Sequence, residues 1–187
     1  HTDNRRQRQM CIRDSDRIYV LGSSNGGYMA YRLACDLAHR ITSFTSVAGN
    51  MYLDDDGFDC IDQDRDTPIL HIHGTEDPIN SYYPGGNSVD ILDDQYLTII
   101  ESIEFWSNYH QYDEMEIDTI LSEVSIRCTY YSDSAISNFE HIKVVGGGHI
   151  YFFGDSYGFS SSQEAIDHSL QYKLSDFIIN QEDINDD

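Results

Sequence analysis

Apolar positions along the chain follow two rhythms. Residues 17–21 (RIYVL) are a short apolar run, the pattern of a buried strand. Residues 25–38 place Met29, Leu33 and Leu37 at helical spacing and predict a helix. Residues 41–48 (ITSFTSVA) alternate and predict a strand, as does the apolar run 68–74 (PILHIHG), entered by a proline. The Pro, Gly and Asn content of 75–87 marks a loop. A second helix is expected over 96–111, through Leu97, Ile100, Ile103 and Phe105 or Trp106. Strand character returns at 123–131 and 139–145, and a closing helix is expected over 163–179. Strands alternating with helices predict an α/β domain, a mostly parallel sheet with flanking helices. Such sheets place their ligands at the loops that follow strands.

Length and charge narrow this picture. The chain has 187 residues, enough for one domain with one sizeable core. Its 33 acidic residues against 11 basic ones give a net charge of −22. Nucleic acid and anionic membrane surfaces would be repelled, so neither is an expected partner. No apolar run approaches the length of a membrane span. Cys11, Cys35, Cys60 and Cys128 form no C-x-x-C pair, so no zinc ribbon or thioredoxin-type motif is present. They are read as free buried thiols, with one disulfide as the alternative for an exported protein. Residues 1–15 hold four of the basic residues without apolar period, and are read as a non-native or disordered segment. The acidic end, 181–187, is read as a frayed tail.

The junction between the first strand and first helix carries the chemistry. Gly22-x-Ser24-x-Gly26 matches a nucleophile elbow, a tight turn that lifts a serine hydroxyl clear of the sheet. A side chain at 22 or 26 would crowd the strand–helix crossing. The N–H of Asn25, at the helix start, can face a developing oxyanion. A serine nucleophile needs a base, and the base needs an orienting carboxylate. The order for this fold is Ser, acid, His. "HIHGTEDP" puts Asp77 in the loop after a strand, and "VVGGGHIY" puts His149 after three glycines. The glycines are expected to let the backbone approach the elbow. Ser24, Asp77 and His149 are therefore the candidate nucleophile, acid and base.

Other candidates compete with these. His71 and His73 lie two apart on a strand and share a face. They could bind a metal, but no third ligand is apparent, and hydrogen bonding beneath the site is the favoured role. The acidic stretch 50–66 does not match the spacing of an EF-hand and is read as a solvated loop. No cofactor is called for.

Three blocks, "RIYVLGSSNGGYMAYRLAC", "PILHIHGTEDPI" and "IKVVGGGH", resemble the polyhydroxybutyrate depolymerase-like esterases, which include feruloyl and acetyl-xylan-type esterases. The resemblance implies an α/β-hydrolase fold and a secreted carboxylic-ester hydrolase that needs no metal, acting on a small or polymeric ester. It implies a partial catalytic domain over residues 16–180. Where that group has Trp-Pro-Gly after the GGGH histidine, this chain reads "HIYFFGD". Tyr151 then stands in the tryptophan's place as a candidate substrate contact. The group's upstream strands and His-Gly oxyanion loop have no counterpart here, so the N-terminal strands are expected to be missing. Two rival readings remain: a serine peptidase of the same superfamily, and an inert glycan- or polymer-binding domain.

Overall fold

The computed structural model describes residues 16–52, 66–85 and 97–177. The acidic stretch 53–65, the N-terminal segment and the C-terminal tail lie outside the described residues. Among the described residues six strands form one sheet: β1 (Tyr19–Ser23), β2 (Ser43–Val47), β3 (Ile69–Gly74), β4 (Glu114–Ile120), β5 (Ser125–Tyr131) and β6 (Phe139–Val144). Their order is β1-β2-β3-β6-β5-β4. The pairs β1–β2, β2–β3 and β3–β6 are parallel, and β5 runs antiparallel to both β6 and β4. The helices among the described residues are α1 (Asn25–Asp36), α2 (Ile99–Tyr109) and α3 (Ser161–Leu170), with a 3-10 turn at Leu174–Phe177.

The sheet separates two apolar layers. Tyr31 and Ala34 of α1 and Ile103 and Trp106 of α2 pack with Phe44, Ile69 and Phe139 of the sheet. Val47, Leu70, Ile72, Ile142 and Val144 pack with Phe152 and Phe159 on the other side. β2 and β3 are buried along their whole lengths, as expected of central parallel strands covered on both faces. α2 starts at a full capping box. Thr98 Oγ1 accepts from the Glu101 N–H, and the Glu101 carboxylate accepts from the Thr98 N–H.

Three local expectations need correction. In α1 the buried face is Gly27, Ala30, Tyr31, Ala34 and Cys35, while Met29 is 56% exposed. Small residues face the sheet because the helix lies so close to it. A Cβ on Gly27 would fall 2.4 Å from Ser46 Oγ and 2.9 Å from Gly49 Cα. β4 was not foreseen. Its Met115, Ile117 and Ile120 are all more than half exposed, as befits an edge strand with little to bury. The closing helix ends at Leu170, and Phe177 is buried from the 3-10 turn rather than from a continued helix.

Candidate functional site

The site is assembled at the C-terminal ends of β1, β3 and β6. β1 ends at Ser23 and α1 begins at Asn25, so Ser24 alone makes the turn. Its backbone sits at φ 52°, ψ −121°, a region that costs a non-glycine residue about 1–3 kcal/mol. The turn is held by the Ser24 N–H, which donates to the Val47 carbonyl at 2.8 Å. The Ser24 carbonyl accepts from the Gly27 N–H at 2.8 Å. Gly22 is required, since a Cβ there would fall 1.8 Å from the Gly26 carbonyl oxygen. Gly26 is not, because a Cβ there meets nothing within 4 Å. The second crowded glycine is Gly27, one residue beyond the expected position.

Asp77 and His149 reach this turn from the loops after β3 and β6. Those loops approach each other closely. A Cβ on Gly74 would fall 2.1 Å from the Gly147 carbonyl oxygen, so the close backbone contact runs between β3 and β6 rather than toward the elbow. Gly146 supplies the left-handed turn, at φ 72°. Ser24 Oγ lies 2.8 Å from His149 Nε2, and His149 Nδ1 lies 2.8 Å from Asp77 Oδ2. With a carboxylate at Nδ1, that nitrogen carries the proton, and Nε2 is left as the acceptor of the serine O–H.

Asp77 Oδ1 accepts from the N–H groups of Ile79 at 2.8 Å and Asn80 at 2.9 Å. Burial alone would raise the Asp77 carboxyl. Hydrogen bonds from His73, Asn80 N–H and His149 outweigh that and hold it below its ordinary value. Asn80 ties the loop to its surroundings. Its Nδ2 donates to the Ala48 carbonyl at 2.7 Å, and its Oδ1 accepts from the Tyr28 hydroxyl.

The model for the Phospholipase/Carboxylesterase family matches residues 4–127, more than half of the chain. The chain belongs to this family of α/β-hydrolases. The match takes in Ser24 and Asp77 and ends before β6 and His149. A relative of this carboxylesterase-family chain is the bifunctional acetylxylan esterase/xylanase XynS20E of Neocallimastix patriciarum. The two are 32% identical over 69 residues, which is 37% of this chain and 10% of that protein. The acetyl xylan esterase from Aspergillus awamori is 18% identical with a TM-score of 0.47, over 73% of this chain and 55% of that one.

Asn25 is the first residue of α1, beside Ser24 and exposed. Tyr151 is half-buried against the layer that contains Phe152, and its hydroxyl accepts from Ser162 Oγ at 3.3 Å. No group of three or more His, Cys, Asp or Glu side chains that could hold a metal occurs among the described residues. The rings of His71 and His73 bond to each other, His71 Nε2 to His73 Nδ1 at 3.1 Å. Cys35 is disulfide-bonded, against the expectation of free thiols, while Cys128 is free. No helix among the described residues is long and apolar enough to cross a membrane. The roles of Asn80 and Tyr28 went unseen in the sequence, because an Asn in a loop and a Tyr on a helix carry no signal that they meet.

Proposed function

We propose that this chain carries the nucleophile, base and acid of a serine carboxylesterase. One observation supports the reading above others: a strained Ser24 at a strand–helix turn, linked through His149 to a fully hydrogen-bonded Asp77. His149 Nε2 takes the Ser24 proton as Oγ attacks an ester carbonyl. The carbonyl oxygen becomes an oxyanion that the Asn25 N–H, at the positive end of α1, stabilises. The imidazolium, facing Asp77, then protonates the departing alcohol and leaves an acyl group on Ser24. Water, deprotonated by the same Nε2, attacks the acyl carbonyl. The acid leaves and the proton returns to Ser24. Asp77 holds His149 in the Nδ1–H tautomer throughout.

For the substrate we propose an ester carried on a plant polysaccharide or a polyester. The Neocallimastix relative, named as an acetylxylan esterase, and the feruloyl-esterase-like motifs support the first, and the polyhydroxybutyrate depolymerase-like motifs keep the second. Tyr151, two residues past His149, is proposed to border the acyl group. Export to an oxidising compartment suits the disulfide at Cys35.

The test is fluorophosphonate labelling of the chain, read by mass spectrometry, with Ser24→Ala alongside. Label on Ser24 in the parent and none in the variant is expected. Acetylated xylan, feruloyl esters and hydroxybutyrate oligomers then sort the acyl group. An unlabelled Ser24 in folded protein would sink the serine-esterase reading.

A further inference from the structure

Beneath Asp77 lies a chain of buried rings that the ester mechanism does not use. His73 Nε2 is 3.1 Å from Asp77 Oδ2 and 3.2 Å from the Asn80 carbonyl oxygen. His71 Nε2 meets His73 Nδ1 at 3.1 Å, and the Tyr31 hydroxyl meets His71 Nδ1. All three rings are fully buried or nearly so, and no bulk water is there to substitute for a missing partner.

The two ends of the chain set its direction. A carboxylate and a carbonyl are both acceptors, so His73 Nε2 must carry a hydrogen and share it between them. At the other end the buried Tyr31 O–H donates to His71 Nδ1, so a neutral His71 carries its hydrogen on Nε2 and gives it to His73 Nδ1. Burial pushes His71 well below its ordinary value and so keeps that ring neutral. A side branch is fixed in the same way. His141 Nδ1 donates to the His71 carbonyl at 3.0 Å, which leaves Nε2 to accept from the Tyr82 hydroxyl at 2.7 Å.

We infer that His73 is a positioning residue for the candidate acid: its Nε2–H, oriented through His71 by Tyr31, pins Asp77 Oδ2 and the Asn80 turn so that the carboxylate stays ionised and aimed at His149. His149 and His73 approach the same oxygen, one from the side of the serine and one from the core. With the two backbone donors on Oδ1, every face of the carboxylate is occupied. The other titratable groups nearby are Lys143 and His141 on β6, Glu76 beside Asp77, and Tyr82. None of them is placed by a hydrogen bond on the carboxylate. The role rests on the proposed use of Asp77, but its measurement does not require reactivity.

The experiment follows the Asp77 carboxyl carbon by NMR from pH 7.5 to 3 in the parent chain, His73→Leu and His73→Gln. Gln places an N–H donor where Nε2 was, and Leu places none. His73→Leu is expected to raise the Asp77 midpoint by about one pH unit, and His73→Gln to restore it. Fluorophosphonate labelling of Ser24 at pH 7 is expected to fall on the order of tenfold in the Leu variant and recover in the Gln variant. If His73→Leu does not fold, Tyr31→Phe reads the same chain from its far end, with a smaller rise expected. A midpoint that neither substitution moves would overturn the inference. A parent chain that shows the titration shift but never labels would count against the esterase and leave the positioning role standing.

Discussion

The two faces of β3 are built from neighbouring residues and do different work. Leu70 and Ile72 point into a layer with Val47, Ile142, Val144 and Phe152. His71 and His73, one step along the same strand, point into the layer of Tyr31 and Trp106 and form a directional hydrogen-bond chain toward Asp77. β6 repeats the division, with His141 on one face and Ile142 and Val144 on the other. The apolar side is interrupted by Glu140, which Arg127 and His168 pair. Apolar packing is non-directional and tolerates exchange of shape. A buried polar chain tolerates nothing that leaves a member unpaired. Both faces bury apolar side chains, but only one carries a buried polar chain through its layer, the chain we propose to orient the candidate site.

That contrast is most exposed at Gly27. The polar chain exists only because α1 lies close enough to β2 and β3 for Tyr31 to reach His71. Gly27→Ala would force α1 away from Gly49 and Ser46, and is expected to cost more than about 4 kcal/mol in denaturant titrations. A variant with near-parent stability would mean that the helix approach is adjustable. Next in size is Ile72→Ala, on the packing face, expected to cost about 2–5 kcal/mol. It is expected to leave the Asp77 midpoint where it was. His73→Leu moves that midpoint, and the two changes are one residue apart. If Ile72→Ala shifts the midpoint as far as His73→Leu does, the faces are not separable.

Acid should find the polar face first. Burial pushes His141 down to about 3 and His71 well below its ordinary value. The unfolded rings bind protons near pH 6.5 and the folded ones do not, so the unfolded state gains protons as pH falls. Stability is then full above about pH 7.5 and declines below, with His141 alone accounting for about 2 kcal/mol lost at pH 5. Asp77 and Glu140 are both held low, so their contribution is present above the unfolded carboxylate range and is lost only below about pH 4. Denaturant titrations at pH 7.5 and 5 isolate the histidines, and His141→Gln should flatten the difference. Equal stability of the parent at both values would exclude this account.

Much of the candidate site's geometry was readable from sequence because its members carry local signals. A small-residue cluster between a strand and a helix, and an Asp and a His each just after a strand, need no tertiary information. The favoured hydrogen-bonding role for His71 and His73 was readable too, from their spacing and the want of a third ligand. Their partner was not, since Tyr31 lies 40 residues away on a helix whose buried face the large apolar residues misreport. Met29 suggested one face, and tight packing chose the face of Gly27, Ala30 and Ala34 instead. β4 escaped for the opposite reason. "EMEIDTI" alternates, but its acidic residues are poor strand formers, and an edge strand buries neither set.

The smallest expected effect tests the elbow pattern itself. Gly26 completes the motif in sequence, yet a Cβ there meets nothing, and its φ does not fall in the left-handed region. It is the second residue of α1 and belongs to neither face of the sheet. Gly26→Ala is therefore expected to change stability by less than about 1 kcal/mol, with helix propensity favouring Ala. Ser24 should label at the parent rate, because the Ser24 turn is fixed by Val47 and Gly27, not by Gly26. A large loss of labelling with stability intact would show that the space above Gly26 belongs to the bound ester, where an added methyl meets the substrate rather than the protein.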